Sequence, residues 1–93
     1  MPVGVLTLEI HLPWAHSLKD KRAVLRKMRD RLRARFNVAV AELDHQDLWQ
    51  QATLGVAAIS GSRPILDEVL RRVLAEAEKI LGEDVQDYSI EIF

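Results

Sequence analysis

Five cations carry most of the chemistry that can be read from this chain. Lys19, Arg22, Arg26, Arg29 and Arg33 follow one another at spacings of three, four, three and four residues, which sets them along one edge of an α-helix. At 1.5 Å per residue the row is about 21 Å long. A row of unpaired guanidinium groups is what binding to a phosphate backbone requires, because each offers a planar fork of donors and stays charged. Lys21 joins Lys19 and Arg22 in the first turn of the same helix, where the helix dipole already presents about half a positive charge. That turn needs a compensating negative charge. One source is internal, from Glu42, Asp44 and Asp47, and pairing of at least one of the three cations in this way is favoured. The other is a bound anion such as a phosphate on the free helix N–H groups. The candidate nucleic-acid contacts are therefore Lys19, Lys21, Arg22, Arg26, Arg29 and Arg33. Charge runs on helices are usually solvated faces; the near absence of acids four residues away tips this one towards phosphate.

Other chemistry is thinly supplied. There is no cysteine, which removes disulfides, thiolate metal sites and thiol catalysis together. His11, His16 and His45 lack metal-ligand spacing, so neither a metal nor a cofactor is expected. No phosphate-binding glycine loop, dinucleotide fingerprint or nucleophile elbow occurs. His16 and His45 could meet near Asp44 and Asp47 in an acid–base group, but the balance of residues points away from an enzyme. Trp14 and Trp49 are expected to pack, with base stacking as the less common use.

The elements that must position these residues are legible from periodicity. Val3 to Leu12 alternates, with Leu6, Leu8, Ile10 and Leu12 on one face, as in a strand with one buried side. Pro13 ends it. Ser17 caps a helix running to Arg35, with Asp20 as a weak capping-box partner, and Leu18, Val24, Leu25, Met28, Leu32 and Phe36 share its apolar arc. Phe36 to Leu43 alternates again. Asp44 to Gln50 reads as a loop, and Gln51 to Ser60 as a third strand. Ser62 caps a second helix with Pro64 in its first turn; Asp67–Arg71 and Glu68–Arg72 are spaced to pair along it, and Gly82 ends it. Gln86 to Phe93 is the last strand.

The order β-α-β-β-α-β predicts an α+β fold of the ferredoxin-like kind: a four-stranded antiparallel sheet, order 4-1-3-2, with two helices on one face. The 93 residues make a single domain, 1–93, which buries about two-thirds of the unfolded chain's surface. In that topology the start of the first helix and the Asp44–Gln50 loop share one pole. The helix-free sheet face would carry Val5, Thr7, Ala39, Ala41, Thr53, Gly55, Ala57, Ile59 and Phe93. It lacks the central-strand aromatics on which RNA-recognition domains of this topology stack bases. Small apolar residues there predict a homodimer through the open sheet face, burying Ala39, Ala41, Thr53, Gly55 and Ala57.

Charge is unevenly spread. Residues 17–35 carry nine Lys or Arg against two Asp, a net +7, which leaves −8 for the rest of a chain whose total is −1. No apolar run approaches the ~20 residues that span a bilayer. The opening MPVGVLTLEI lacks the basic flank and cleavage site of a signal peptide, so a cytoplasmic protein without membrane association is expected.

Ser17-Leu18-Lys19-Asp20-Lys21-Arg22, then Phe36-Asn37-Val38-Ala39-Val40-Ala41-Glu42 and Asp47-Leu48-Trp49-Gln50, together with the opening Val3-Gly4-Val5, resemble the YlxP-like family of small bacterial proteins of unknown function over essentially the whole chain. The resemblance implies a ferredoxin-like fold, a bacterial cytoplasmic location and genes near those of translation-initiation and ribosome-maturation factors. It implies no activity and no catalytic residues. The leading expectation is thus a non-enzymatic protein that binds RNA or a ribosomal surface through its first helix. The rival is a homodimeric interaction module whose basic helix meets an acidic protein.

Overall fold

A large aliphatic side chain at every second position from Leu6 to Leu12 sets the layering. Leu6, Leu8, Ile10 and Leu12 are 0–2% exposed, and a leucine-sized side chain contributes about 1.5–3 kcal/mol when buried. The computed structural model describes residues 1–93. Its elements are β1 (Val3–His11), α1 (Leu18–Arg35), β2 (Ala39–Asp44), β3 (Gln51–Ile59), α2 (Arg63–Leu81) and β4 (Val85–Ile92), with a 3₁₀ turn at Gly82–Asp84. All strand pairs are antiparallel and the sheet order is β2-β3-β1-β4, the expected order read from the other side. Leu25, Met28 and Leu32 of α1 and Leu66, Leu70, Val73, Leu74 and Ala77 of α2 join the inward residues of β1 and β3 in one core cluster. Both helices therefore cover one face. Neither is long and apolar enough to cross a membrane.

The helix ends follow their caps. The Ser17 hydroxyl accepts from the Asp20 N–H at 3.1 Å, and Asp20 accepts from the His16 N–H at 3.0 Å, so the carboxylate reaches back one residue beyond the usual capping box. Ser62 accepts from the Ile65 N–H at 3.4 Å. Gly82 ends α2 at φ 58°, a left-handed value that costs other residues about 1–2 kcal/mol.

Gly4 has a steric role. A Cβ there would lie 2.6 Å from Leu70 Cδ1 and 3.0 Å from Leu66 Cγ, so only glycine lets β1 approach α2 this closely.

β1, β3 and β4 each end one residue earlier than the sequence reading, and three other boundaries differ. The second strand begins at Ala39 rather than Phe36, because the chain first has to leave the helix and reverse. The Phe36 N–H still donates to Leu32 O, at 2.9 Å, and Val38 N–H donates to Phe36 O at 3.0 Å. Alternating residues in such a connection look the same as a strand. The same strand ends at Asp44 with a register shift that leaves Leu43 as an extra residue opposite β3. β4 begins at Val85, again with a register shift, at Gln86. Of the two helical ion pairs expected in α2, Asp67–Arg71 forms at 3.0 Å; the Asp67 carboxylate holds the Arg71 guanidinium pKa above its ordinary value by hydrogen bond and charge. Glu68–Arg72 does not form, because Arg72 turns over the Phe36 ring at 6.0 Å, within cation–π range.

Candidate nucleic-acid interface

The first turn of α1 resolves into one buried cation and two exposed ones. Lys21 is fully buried, a rare state for lysine that demands partners. Its ammonium donates to Glu42 Oε2 at 2.9 Å, His45 O at 2.7 Å, Gln51 O at 3.2 Å and Gln46 O at 3.3 Å. Three N–H bonds are thus shared among four acceptors, and the turn between β2 and β3 closes around them. His45 adopts φ 61°, a left-handed conformation that histidine tolerates better than most residues. The expected internal pairing is therefore Lys21 with Glu42. Lys21 must consequently be removed from the set of phosphate contacts, since its charge is already satisfied and shielded from solvent. Spacing alone could not separate it from Lys19 and Arg22; the useful signal was Glu42, an acid at an inward position of a strand.

The rest of the row is as the spacing implied. Lys19, Arg22, Arg26 and Arg33 are exposed and Arg29 is half-buried. Lys19, Arg22, Arg26 and Arg33 form no ion pair, while Arg29 meets only the adjacent Asp30 at 3.3 Å, itself largely exposed. An exposed neighbour of that kind contributes little. Arg22, Arg26 and Arg29 line a cleft of about 200 Å³ between α1 and β2, together with Leu25, Val40, Ala41, Glu42 and Leu54. Arg33 lies where α1 passes into β2, beside Asn37 and Val38. The cations therefore track β2, an edge strand of the sheet.

The opposite flank of α1 behaves differently, which sequence reasoning missed. Arg31 and Arg35 reach across to α2 and hold Glu76, only 7% exposed, at 3.2 and 3.3 Å. These two arginines lock the helices together, so the free charge of α1 is the β2-side row together with Lys27, which is exposed and forms no ion pair.

Trp14 and Trp49 do not pack inward as expected: they are 46% and 52% exposed. Leu12 and Ala15 already close the core at this pole, and the Gln50 carboxamide ties down the carbonyls of Pro13 and Ala15 at 3.0 and 3.3 Å. The Trp14 indole N–H donates to Asp84 at 3.4 Å. His16, His45, Asp44 and Asp47 do not assemble: no three His, Asp or Glu side chains converge in a way that could hold a metal ion.

The open sheet face is also more covered than its residue types implied. The Leu43 side chain lies over Gly55, where a Cβ would be 2.6 Å from Leu43 Cδ1. Thr53, 8% exposed, donates to Glu9 at 2.9 Å. The Leu43 side chain itself stays 54% exposed and Ala39 and Ala41 are exposed beside it, while a second open apolar area is the corner of Val3, Ile59 and Phe93 at 38%, 59% and 64% exposure.

These features define a ferredoxin-like α+β domain with a free cationic edge on its first helix. The chain belongs to the family described as "Protein of unknown function (DUF503)", whose model matches residues 3–90. It is 42% identical over 73 residues to "Uncharacterized protein YlxP" of Bacillus subtilis (strain 168), covering 78% of this chain and 79% of that one. Two solved structures share the fold. One is the de novo designed protein LFR1 1 with ferredoxin fold, with a TM-score of 0.56 and 10% identity, covering all of this chain and 83% of the other. The other is Rv0793 from Mycobacterium tuberculosis, with a TM-score of 0.55 and 21% identity, covering all of this chain and 93% of the other.

Proposed function

We propose that this protein is a non-enzymatic, cytoplasmic RNA-binding factor that engages RNA or a ribosomal surface through the phosphate backbone. The observation that carries the reading is the row Lys19, Arg22, Arg26, Arg29 and Arg33. It is exposed or half-exposed along the β2 side of α1 and nearly free of acid partners. Net charge near zero limits long-range attraction to polyanions, so binding depends on local contact. A second reading has its own support. β2 is an edge whose first three residues, Ala39, Val40 and Ala41, carry no charge and no proline, the devices that usually guard edges. An acidic extended segment of a protein could add there beneath the arginines. Displacement of labelled RNA at low salt separates the two. Unlabelled RNA should displace it and a Glu-rich peptide should displace it poorly; a protein that binds the peptide and no RNA supports the second reading instead.

We also propose a homodimer through the open sheet face, centred on the Val3, Ile59 and Phe93 corner. Ile59→Asp and Phe93→Asp should give monomers in sedimentation, without unfolding, because both side chains are exposed. A wild-type chain that is monomeric at micromolar concentration counts against this arrangement.

A further inference from the structure

The cleft between α1 and β2 has more chemistry than a phosphate contact uses. Its rim is cationic, from Arg22, Arg26 and Arg29, and its floor is apolar, from Leu25, Val40 and Leu54. At about 200 Å³ it is smaller than the ~300–1,000 Å³ of sites that hold drug-sized ligands. It suits one ring system rather than a whole cofactor. One polar side chain among the lining residues is an acceptor: Glu42. Its Oε2 accepts from Lys21, while Oε1 has no protein partner and is not sealed from solvent. Lys21 neutralises the carboxylate, so Oε1 offers lone pairs without adding net negative charge beside a phosphate.

We infer that the cleft takes one unpaired nucleotide of the RNA, with its phosphates on the arginines, its ring on the aliphatic floor and an amino edge donating to Glu42 Oε1. This rests on the RNA-binding reading and deepens it. The RNA is single-stranded where it meets α1, and the inserted base carries an exocyclic amine. A carboxylate accepts well from cytosine N4 and equally from the amine of adenine. Uracil presents a carbonyl oxygen at the corresponding position and is repelled. A base held in a duplex cannot enter at all, because its edge is paired and its faces are stacked.

The test compares RNA octamers of cytosine and of uracil, both single pyrimidine rings of similar size, and a duplex of equal length, by fluorescence anisotropy at low salt and neutral pH. The expected order is cytosine tightest, about tenfold over uracil, which is the effect of one discriminating hydrogen bond of about 1.4 kcal/mol. The duplex should be the weakest. Val40→Phe fills the cleft from its floor and should bring all three affinities together, leaving residual binding by the exposed cations; a thermal melt confirms that the variant is folded. The wild-type comparison stands without that variant. Equal affinity for cytosine and uracil, or a duplex bound as tightly as a single strand, overturns the nucleotide cleft but leaves the phosphate-binding reading intact. Failure of every RNA to bind overturns both.

Discussion

Replacing Lys21 by methionine is expected to cost about 3 kcal/mol, the lower end of the range for removing one partner of a buried ion pair, because the Glu42 carboxylate keeps some access to solvent. For a domain of this size that is a large part of a total stability of about 5–15 kcal/mol. Methionine matches the length of the lysine stem and keeps most of its packing. What it removes is the ammonium that satisfies Glu42 and the carbonyls of His45, Gln46 and Gln51. Those four oxygens converge on that charge, with the Leu48 N–H on His45 O and the Gln46 amide on Glu42 O as further ties of the turn. The turn at residues 44–50 should loosen, since the left-handed His45 is then held only by its N–H on Asp44 and by the Leu48 N–H on its carbonyl. Urea denaturation would show a lower midpoint at similar slope, and amide exchange in the turn should accelerate beyond the global change. A loss under about 1 kcal/mol, the scale of a surface ion pair, would mean that Lys21 does not hold the turn.

The second large effect falls on binding and spares the fold. Arg22→Gln, Arg26→Gln and Arg29→Gln together should weaken RNA affinity about a hundredfold, taking roughly 1 kcal/mol for each exposed charge-assisted contact. Arg22 and Arg26 have no acid partner, and Arg29 has only Asp30, so stability should stay within about 0.5 kcal/mol per site. The control is Arg31→Gln with Arg35→Gln. Those residues hold buried Glu76, so the pair should lower stability and leave RNA affinity less affected. If the two sets of substitutions weakened RNA binding equally, general charge rather than the β2-side row would be responsible.

The contrast between these two experiments shows where the sequence was readable. Alternation of Leu6, Leu8 and Ile10 and the arc Leu25, Met28 and Leu32 define which faces are inside, so element order and sheet order followed from residue types. The row Lys19, Arg22, Arg26, Arg29 and Arg33 was readable for the same reason, because helical spacing alone places it. Lys21 was not. Its burial depends on the bend of a turn more than twenty residues away, and no local pattern encodes that distance. Glu76 is similar, an inward acid on an otherwise apolar face whose partners lie on another helix. Trp14 and Trp49 misled because aromatic size predicts burial only where the core has room. Leu43 over Gly55 needed a register shift, which alternation cannot reveal.

The central claim, that the free edge of α1 neutralises RNA phosphates, is tested most directly by the salt dependence of wild-type binding to single-stranded RNA. Five cations engaged on phosphates give a slope of log affinity against log salt of about −3.5, at roughly 0.7 per contact. Between about 50 and 200 mM salt, affinity should then fall about a hundredfold. The triple glutamine variant, with two of the five left, should show a slope near about −1.4. RNA binding that does not change with salt, or no binding at about 50 mM, would contradict the account.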